Sequence, residues 1–398
     1  GKRGAAVAID PNTGEILAFV SNPSFDPNPF ITGISSREYK ALQQDPDMPL
    51  YNRALQGQYP PGSSIKPIEG LAGIHYGIMG WDSSIYDPGY FSLPGDSHKF
   101  RDWKKSGHGN VNLHKSVVES VDTYYYKLSY QLGIDRLHDW MTRFNFGSKT
   151  GIDLPGEKTG VYPSTEWKMK TYKKAWLPGE TISVSIGQGY FLATPLQIAN
   201  GIAMLAGDGQ HLTPHLLKKS TGAEHVTPIE KPDGKIQYNG NPNDWQRMHL
   251  AMEDVVKKGT AHNIYTPTYR IAGKTGTAQV KSIAQGKRYN EAALDSRHWD
   301  HGWFVGFAPV ENPQIAIAVI VENGRHGGWV APIVRKMMDY WLIDKIKKPI
   351  VPPSPEELAK INAEKQAAKL QRAALVLSGK PIIAKPNTAK LPAVGGAD

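Results

Sequence analysis

Pro60-Pro61-Gly62-Ser63-Ser64-Ile65-Lys66-Pro67 is the stretch from which this chain can be read. A Ser three residues ahead of a Lys puts hydroxyl and amine on one face of a helical turn. An uncharged Lys so placed can take the hydroxyl proton and make Ser63 a nucleophile. Ser63 with Lys66 is the one Ser-x-x-Lys pair in the sequence, although chance alone supplies about one such match in a chain this long. The Pro-Pro-Gly run ends whatever precedes it, and a helix is predicted from Ser63. Pro67 falls in its first turn, where a missing N–H costs little. An ordinary helix capped by Ser63 is the competing reading of the same residues.

The surrounding composition narrows the class. With 398 residues there is room for one large domain or two smaller ones, each with a sufficient core. Hydrophobic residues make up 40% and charged residues 21%, as in an ordinary globular protein. The net charge is +9, and residues 350–398 carry seven Lys/Arg against four Asp/Glu, so +3 of it lies there. The body is mildly basic, which suits an anionic polymer or surface without specifying either. No basic run is interleaved with aromatics, which argues against nucleic acid as a partner. Cys is absent, so no disulfide or thiol nucleophile is available. No apolar run approaches the length of a membrane span. Gly1 leads straight into a strand-like segment, so the chain reads as an excised domain.

Ala5–Asp10 and Glu15–Ser21 are apolar runs joined by Pro11-Asn12-Thr13-Gly14, a hairpin signal. Loops are expected over 22–59, with a short helix near Ser36–Gln44, and an irregular segment over 80–111. Helical spacing runs through positions 113, 117, 121, 125, 128 and 132, and Gly133 ends it. Thr194-Pro195 opens a helix that Gly207 closes, Ile68–Tyr76 reads as a buried helix, and Asp244–Lys258 as an amphipathic one. Strands are predicted at Tyr269–Ala272, Thr277–Val280, Gly302–Ala308 and Gln314–Glu322, then a closing helix over Ala331–Lys348. Strands at both ends with helices between them suggest one sheet built from the two termini around a helical insertion. Residues 350–398 change to a Pro/Ala/Lys-rich composition, which predicts a flexible tail with a marginal helix over Glu356–Val376.

Lys-(Thr/Ser)-Gly occurs at Lys105, Lys149, Lys158 and Lys274. The first three lie among Gly, Pro and polar residues, whereas Lys274-Thr275-Gly276 continues a strand-like run. On an edge strand, alternation sends Lys274 and Gly276 one way and Thr275 and Thr277 the other. Such an edge can offer N–H groups to an oxyanion, and its Gly admits a substrate backbone. A second cation near Lys66 would favour its uncharged form. Ser120-Val121-Asp122 is the third piece. Two residues on an ideal helix point about 200° apart, so both can face one site only if the helix breaks there. A solvent-facing or back-bonded helix Ser is the alternative.

Taken in order, Ser63-x-x-Lys66, Ser120-x-Asp122 and Lys274-Thr275-Gly276 resemble the motifs of the penicillin-binding transpeptidases, acyl-serine enzymes that share a fold with class A β-lactamases. Thr150 through Glu157, Ser185 through Gly189, Thr194 through Gln197 and Gly273 through Gln279 are similar to further family stretches, so the resemblance covers about residues 4–349. It is strongest to the elongation-specific group of Gram-negative bacteria. Asp122 departs from the Asn of the wider family, which puts the charge balance at Lys66 in question. The implied fold is α+β (α/β/α), with an antiparallel five-stranded sheet flanked by helices plus an all-helical region. Residues 1–349 would be the transpeptidase domain and 350–398 the tail.

The resemblance further implies peptidoglycan D,D-transpeptidation, with β-lactams as covalent inhibitors and no cofactor for the chemistry. Ser63 would be the nucleophile and Lys66 its base, with Ser120 and Asp122 in the proton path. Lys274, Thr275, Gly276 and Thr277 would hold the substrate carboxylate, and the amides of Ser63 and Thr277 the oxyanion. It implies a SEDS-type (RodA-like) glycosyltransferase and an MreC-like scaffold as partners. It also implies a periplasmic position, anchored in the inner membrane by an N-terminal helix outside this chain. Finally, it implies a possible structural zinc on Asp87, Asp102 and His108, with Val121 where relatives have Cys. Ordinary loop hydrogen bonding by those three residues is the alternative.

Overall fold

The computed structural model describes residues 2–218, 234–280, 295–345 and Ala363. β1 (Gly4–Ile9) and β2 (Ile16–Asn22) form the expected N-terminal hairpin. Two small ribbons follow, from β3 (Ser84–Asp87), β4 (Tyr90–Phe91), β5 (Phe100–Arg101) and β6 (Gly109–Asn112), paired β3–β6 and β4–β5. β7 (Ala272–Ala278), β8 (His301–Ala308) and β9 (Ile315–Val321) return to the hairpin. The resulting sheet is antiparallel with the order β2-β1-β9-β8-β7. β9 reads Ile-Ala-Ile-Ala-Val-Ile-Val and is buried almost end to end, as a strand covered on both faces must be.

α1 (Asn28–Thr32), α2 (Ser36–Gln44) and α3 (Arg53–Gln56) follow the hairpin. α4 (Lys66–His75), α5 (Leu113–Val118), α6 (Asp122–Leu132), α7 (Ile134–Thr142), α8 (Thr165–Tyr172) and α9 (Pro178–Val184) make up the helical insertion. α10 (Pro195–Ala206), α11 (Asn243–Lys257) and α12 (Gly327–Asp339) pack on the sheet: α10 on β1, β8 and β9, α11 on β7, and α12 on β7, β8 and β9. α10 follows its sequence signals closely. The Thr194 hydroxyl accepts from the Gln197 amide, the Gln197 side chain answers the Thr194 amide, and Pro195 opens the helix. The α+β architecture is the expected one. Among the described residues no helix is long and apolar enough to cross a membrane.

Four local expectations are corrected. The two strands placed at Tyr269–Ala272 and Thr277–Val280 are one strand, Ala272–Ala278, because β8 pairs with every residue between them. Tyr269 and Arg270 are drawn off to helices instead, bonding Asp339 at 2.7 Å and Glu253 at 2.6 Å. Residues 80–111 hold the two ribbons, whose strands are too short to show a period. The closing helix starts earlier, at Gly327, and gives way to a π turn over Tyr340–Asp344. The helix predicted from Ser63 is a 3₁₀ turn, Gly62–Ile65, leading into α4. The tail 350–398, its predicted helix over Glu356–Val376 and the last residues of the closing helix lie outside the described residues.

Candidate active site

Three backbone segments meet where Ser63 sits. Gly62, at φ 56°, lies so near β7 that a Cβ would stand 2.4 Å from the Thr277 carbonyl oxygen. A Cβ on Gly187 would stand 2.3 Å from the Gly62 oxygen. Only glycine admits such approaches. The Gly62 amide donates to the Gly187 carbonyl at 3.0 Å, and Gln188 Nε2 donates to the Thr277 carbonyl at 3.3 Å. The turn thereby covers the free edge of the sheet. Ser63 does not cap the helix, since α4 begins without a side-chain cap and the Ser64 hydroxyl is the one that bonds back to Pro61. Its hydroxyl is left half-buried at the site.

Lys66 leaves the first turn of α4 with no exposed side-chain surface. Its Nζ donates to Asp122 Oδ1 at 2.6 Å, to the Ser120 carbonyl at 2.9 Å and to Ser120 Oγ at 3.5 Å. Lys274 reaches the same hydroxyl from β7, donating to Ser120 Oγ at 2.8 Å and to the Thr275 carbonyl at 3.2 Å. The helix break that Ser120-Val121-Asp122 requires is present. α5 ends at Val118, Ser120 adopts φ 56°, and α6 begins at Asp122. The carboxylate of Asp122 therefore occupies the first turn of α6, where the helix dipole favours it. Ser120 lies in the gap, its hydroxyl held between two lysines.

The strand alternation is also as expected. Lys274 and Gly276 face Ser120, Ser64 and Pro61, while Thr275 turns away and shares a hydrogen bond with Thr260 at 2.8 Å. Thr277 is half-buried beside Gly62. Ser63, Lys66, Ser120, Asp122, Lys274 and Gly276 are thus brought together, with the backbone of Thr277 against Gly62 and the Thr275 hydroxyl engaged by Thr260. The other three Lys-(Thr/Ser)-Gly copies lie in loops. Gln188 was not singled out as a site residue. Its signal lay within the Ser185–Gly189 stretch, which resembles the family without marking the side chain.

Electrostatics distinguishes the two lysines. Burial, helped by the Lys66 cation and only partly opposed by Asp122, pushes the Lys274 ammonium well below the usual lysine range. Lys66 has the carboxylate, whereas the hydrogen bonds of Lys274 go to neutral oxygens. A lysine depressed in the native state costs stability in full while it is charged in both states. That stability returns as pH rises from the native pKa toward the unfolded one. Lys274→Met is therefore expected to be more stable than wild type at neutral pH, by about 1 kcal/mol or more, with the gap closing at alkaline pH. Urea unfolding at several pH values measures it. A less stable variant, or a gap that widens with pH, contradicts the assignment.

Asp87, Asp102 and His108 are also gathered, all buried, with one donor atom of each within 4.8 Å of the others. Asp87 Oδ2 meets His108 Nδ1 at 2.8 Å and also accepts from the His108 amide, while its Oδ1 accepts from the Gly89 amide. Burial would raise the Asp87 carboxyl, but these bonds and one from Thr123 outweigh it and hold it below the usual range. Burial and the charge of Asp122 push Asp102 above that range. His108 Nε2 is buried without a hydrogen-bond partner, and Glu119 Oε2 is the nearby carboxylate oxygen at 3.9 Å. Two carboxylates and one imidazole supply three donors of the kind a structural divalent metal takes. Val121, fully buried, supplies no fourth donor. A metal there would join the ribbon segment that the three residues share, take no part in the chemistry, and leave the tie to α6 to Asp102.

Asp102 already makes that tie itself, its Oδ2 accepting from the Thr123 amide at 3.0 Å and from the Thr123 hydroxyl. Asp102→Ala would strand these buried donors at the start of the helix that carries Asp122. A loss of about 1–3 kcal/mol is expected in urea unfolding. A neutral substitution would mean that water or a shifted backbone replaces the carboxylate.

Residues 4–339 match the penicillin binding protein transpeptidase domain. The chain belongs to the penicillin-binding protein transpeptidase family. The peptidoglycan D,D-transpeptidase MrdA of Acinetobacter baumannii is 61% identical over 352 residues, covering 88% of this chain and 52% of that protein. MrdA of Escherichia coli K12 is 43% identical over 350 residues, 86% of this chain and 55% of that protein. The chain thus spans about half the length of these curated relatives. Among solved structures, Pseudomonas aeruginosa PBP2 in complex with WCK 5153 superposes with a TM-score of 0.79 at 47% identity, covering 87% of this chain and 73% of that one. Helicobacter pylori PBP2 in complex with MreC gives 0.76 at 36% identity, covering 86% and 61%.

Proposed function

We propose that this chain is the transpeptidase domain, over residues 1–349, of an elongation-specific peptidoglycan D,D-transpeptidase, with 350–398 as its tail. The observation that carries the reading is the Ser120 hydroxyl bonded by both Lys66 and Lys274 beside the Ser63 turn. Ser63 Oγ attacks the carbonyl of the penultimate D-Ala of a stem peptide, and its proton passes to Lys66 in the uncharged form. The amides of Ser63 and Thr277 hold the oxyanion. Ser120 relays the proton to the departing D-Ala amine, and Lys66 is returned to its place by Asp122. Lys274, Thr275, Gly276 and Thr277 receive the terminal carboxylate. An amine of a second stem peptide then displaces Ser63, forming the cross-link. No cofactor enters these steps.

A β-lactam would acylate Ser63 in the same geometry and stay unless a base activates a water. Glu69, one turn beyond Lys66, is the nearest candidate base. Burial outweighs the Lys66 charge and the Tyr162 hydrogen bond and pushes its carboxyl well above the usual range. That direction disfavours the charged carboxylate that a water-activating base needs. The MrdA relatives support an elongation role, and the Helicobacter complex supports an MreC-like partner. A RodA-like glycosyltransferase and an inner-membrane anchor outside this chain complete the reading, with the domain on the periplasmic face. The test is covalent labelling by a fluorescent penicillin followed by the lifetime of the adduct. A long-lived adduct is expected; absence of labelling, or rapid release, overturns the transpeptidase reading.

A further inference from the structure

A groove of about 580 Å³ opens on the helical insertion, lined by the C-terminal end of α6, the start of α7 and the segment entering α9. α9 is seven residues long, about 10 Å, and Gly187 of the active site lies just beyond its other end. The volume lies within the range of small-ligand sites. Tyr130 on one wall is 42% exposed and steadied by Phe91, its ring centroid 6.0 Å away. Trp176 on another is half-buried, and its indole N–H donates to Thr181 Oγ1 at 2.8 Å, which fixes the ring plane. Arg136 adds an exposed guanidinium, and the Asp135 carboxylate beside it is taken up by the Thr165 amide and hydroxyl. The adjoining segment 165–177 carries four Lys against one Glu, with Lys170, Lys173 and Lys174 exposed and only Lys170 taken up by that Glu166. Tyr172 and Leu177 extend the same surface, 48% and 60% exposed.

Rigid aromatic faces beside exposed cations suit a ligand with flat apolar faces and negative charge. A peptide alone uses the cations and leaves the aromatic walls unexplained, and an uncharged sugar does the reverse. We propose that the groove is an exosite for an anionic glycan strand, its N-acetylated sugars lying on Tyr130 and Trp176 and its stem-peptide carboxylates against Arg136, Lys173 and Lys174. This rests on the reading of Ser63 as the acylated serine of a peptidoglycan-acting enzyme. It gives the enzyme a hold on the polymer while the catalytic cleft exchanges one stem peptide for the next.

The test uses protein already acylated by penicillin, so that the cleft is filled and only the groove is free. Binding is followed by isothermal titration calorimetry with soluble, uncross-linked glycan strands bearing stem peptides, and separately with an uncharged N-acetylglucosamine tetramer. Trp176→Ala combined with Tyr130→Ala is expected to weaken strand binding about tenfold or more. Lys173→Glu with Lys174→Glu, both on exposed positions, should weaken it about fivefold and flatten its salt dependence. The rate of penicillin acylation, which also reports folding, should change by no more than about twofold in either variant. Strand affinity unchanged in both variants, no strand binding by the acylated wild type, or equal affinity for the uncharged tetramer overturns the exosite. Failure of wild type to be acylated at all instead removes the Ser63 reading on which the exosite rests.

Discussion

Ser63→Ala leaves no covalent adduct with a fluorescent penicillin, and acylation falls by at least about 10⁴-fold, the scale on which loss of a nucleophile shows in acyl-transfer enzymes. The effect is expected to be this large because nothing near Ser63 can replace it. Ser64 is spent on the Pro61 carbonyl, and Ser120 Oγ lies between two lysines whose donors saturate it. The substitution should leave stability nearly unchanged, since Ser63 caps no helix and is half-exposed. Labelling and thermal unfolding together are the measurement. An adduct that persists in Ser63→Ala places the nucleophile elsewhere, and the motif reading falls with it.

Lys66→Met is expected to acylate about 10³-fold more slowly, the size of a lost general base, while pre-covalent affinity for the β-lactam changes little. Lys66→Arg should fare no better, although a guanidinium can still pair with Asp122, because it cannot give up its proton near neutral pH. Stopped-flow acylation at several β-lactam concentrations separates the binding step from the chemical one. If the Arg variant acylates like wild type, Lys66 is a positioning cation and the base is another group. Asp122 makes the comparison informative. It accepts from Lys66 Nζ at 2.6 Å, so the reaction must first free Lys66 from that pair.

The parts of the molecule legible in the sequence are those decided locally. The Pro11–Gly14 turn, the capping box of α10 and the unbroken apolar run of β9 each follow from neighbours within a few residues. The choice of Lys274 among four look-alikes also came from its flanking strand pattern. The short ribbons of residues 80–111 escaped because two- to four-residue strands show no period. Two of the four residues of β3 nonetheless project inward, and one of them is Asp87.

The chain order of Ser63, Lys66, Ser120, Asp122 and Lys274, and the need for a helix break at Ser120, were determined by sequence alone, because residue type and helical geometry are local properties. Tertiary structure decided the charges. Lys66 meets Ser120 across 54 residues and Lys274 meets it across 154, and which ammonium receives the carboxylate depends on how those segments fold against each other. In three dimensions Asp122 lies on Lys66, and Lys274 is the lysine that burial depresses. The Thr260 partner of Thr275, the orphaned nitrogen of His108 and the groove beside α9 were likewise beyond the sequence, since each arises from surfaces contributed by distant segments. Short-range geometry is written residue by residue, whereas desolvation and Coulomb interaction depend on everything that surrounds a group once the chain has closed around it.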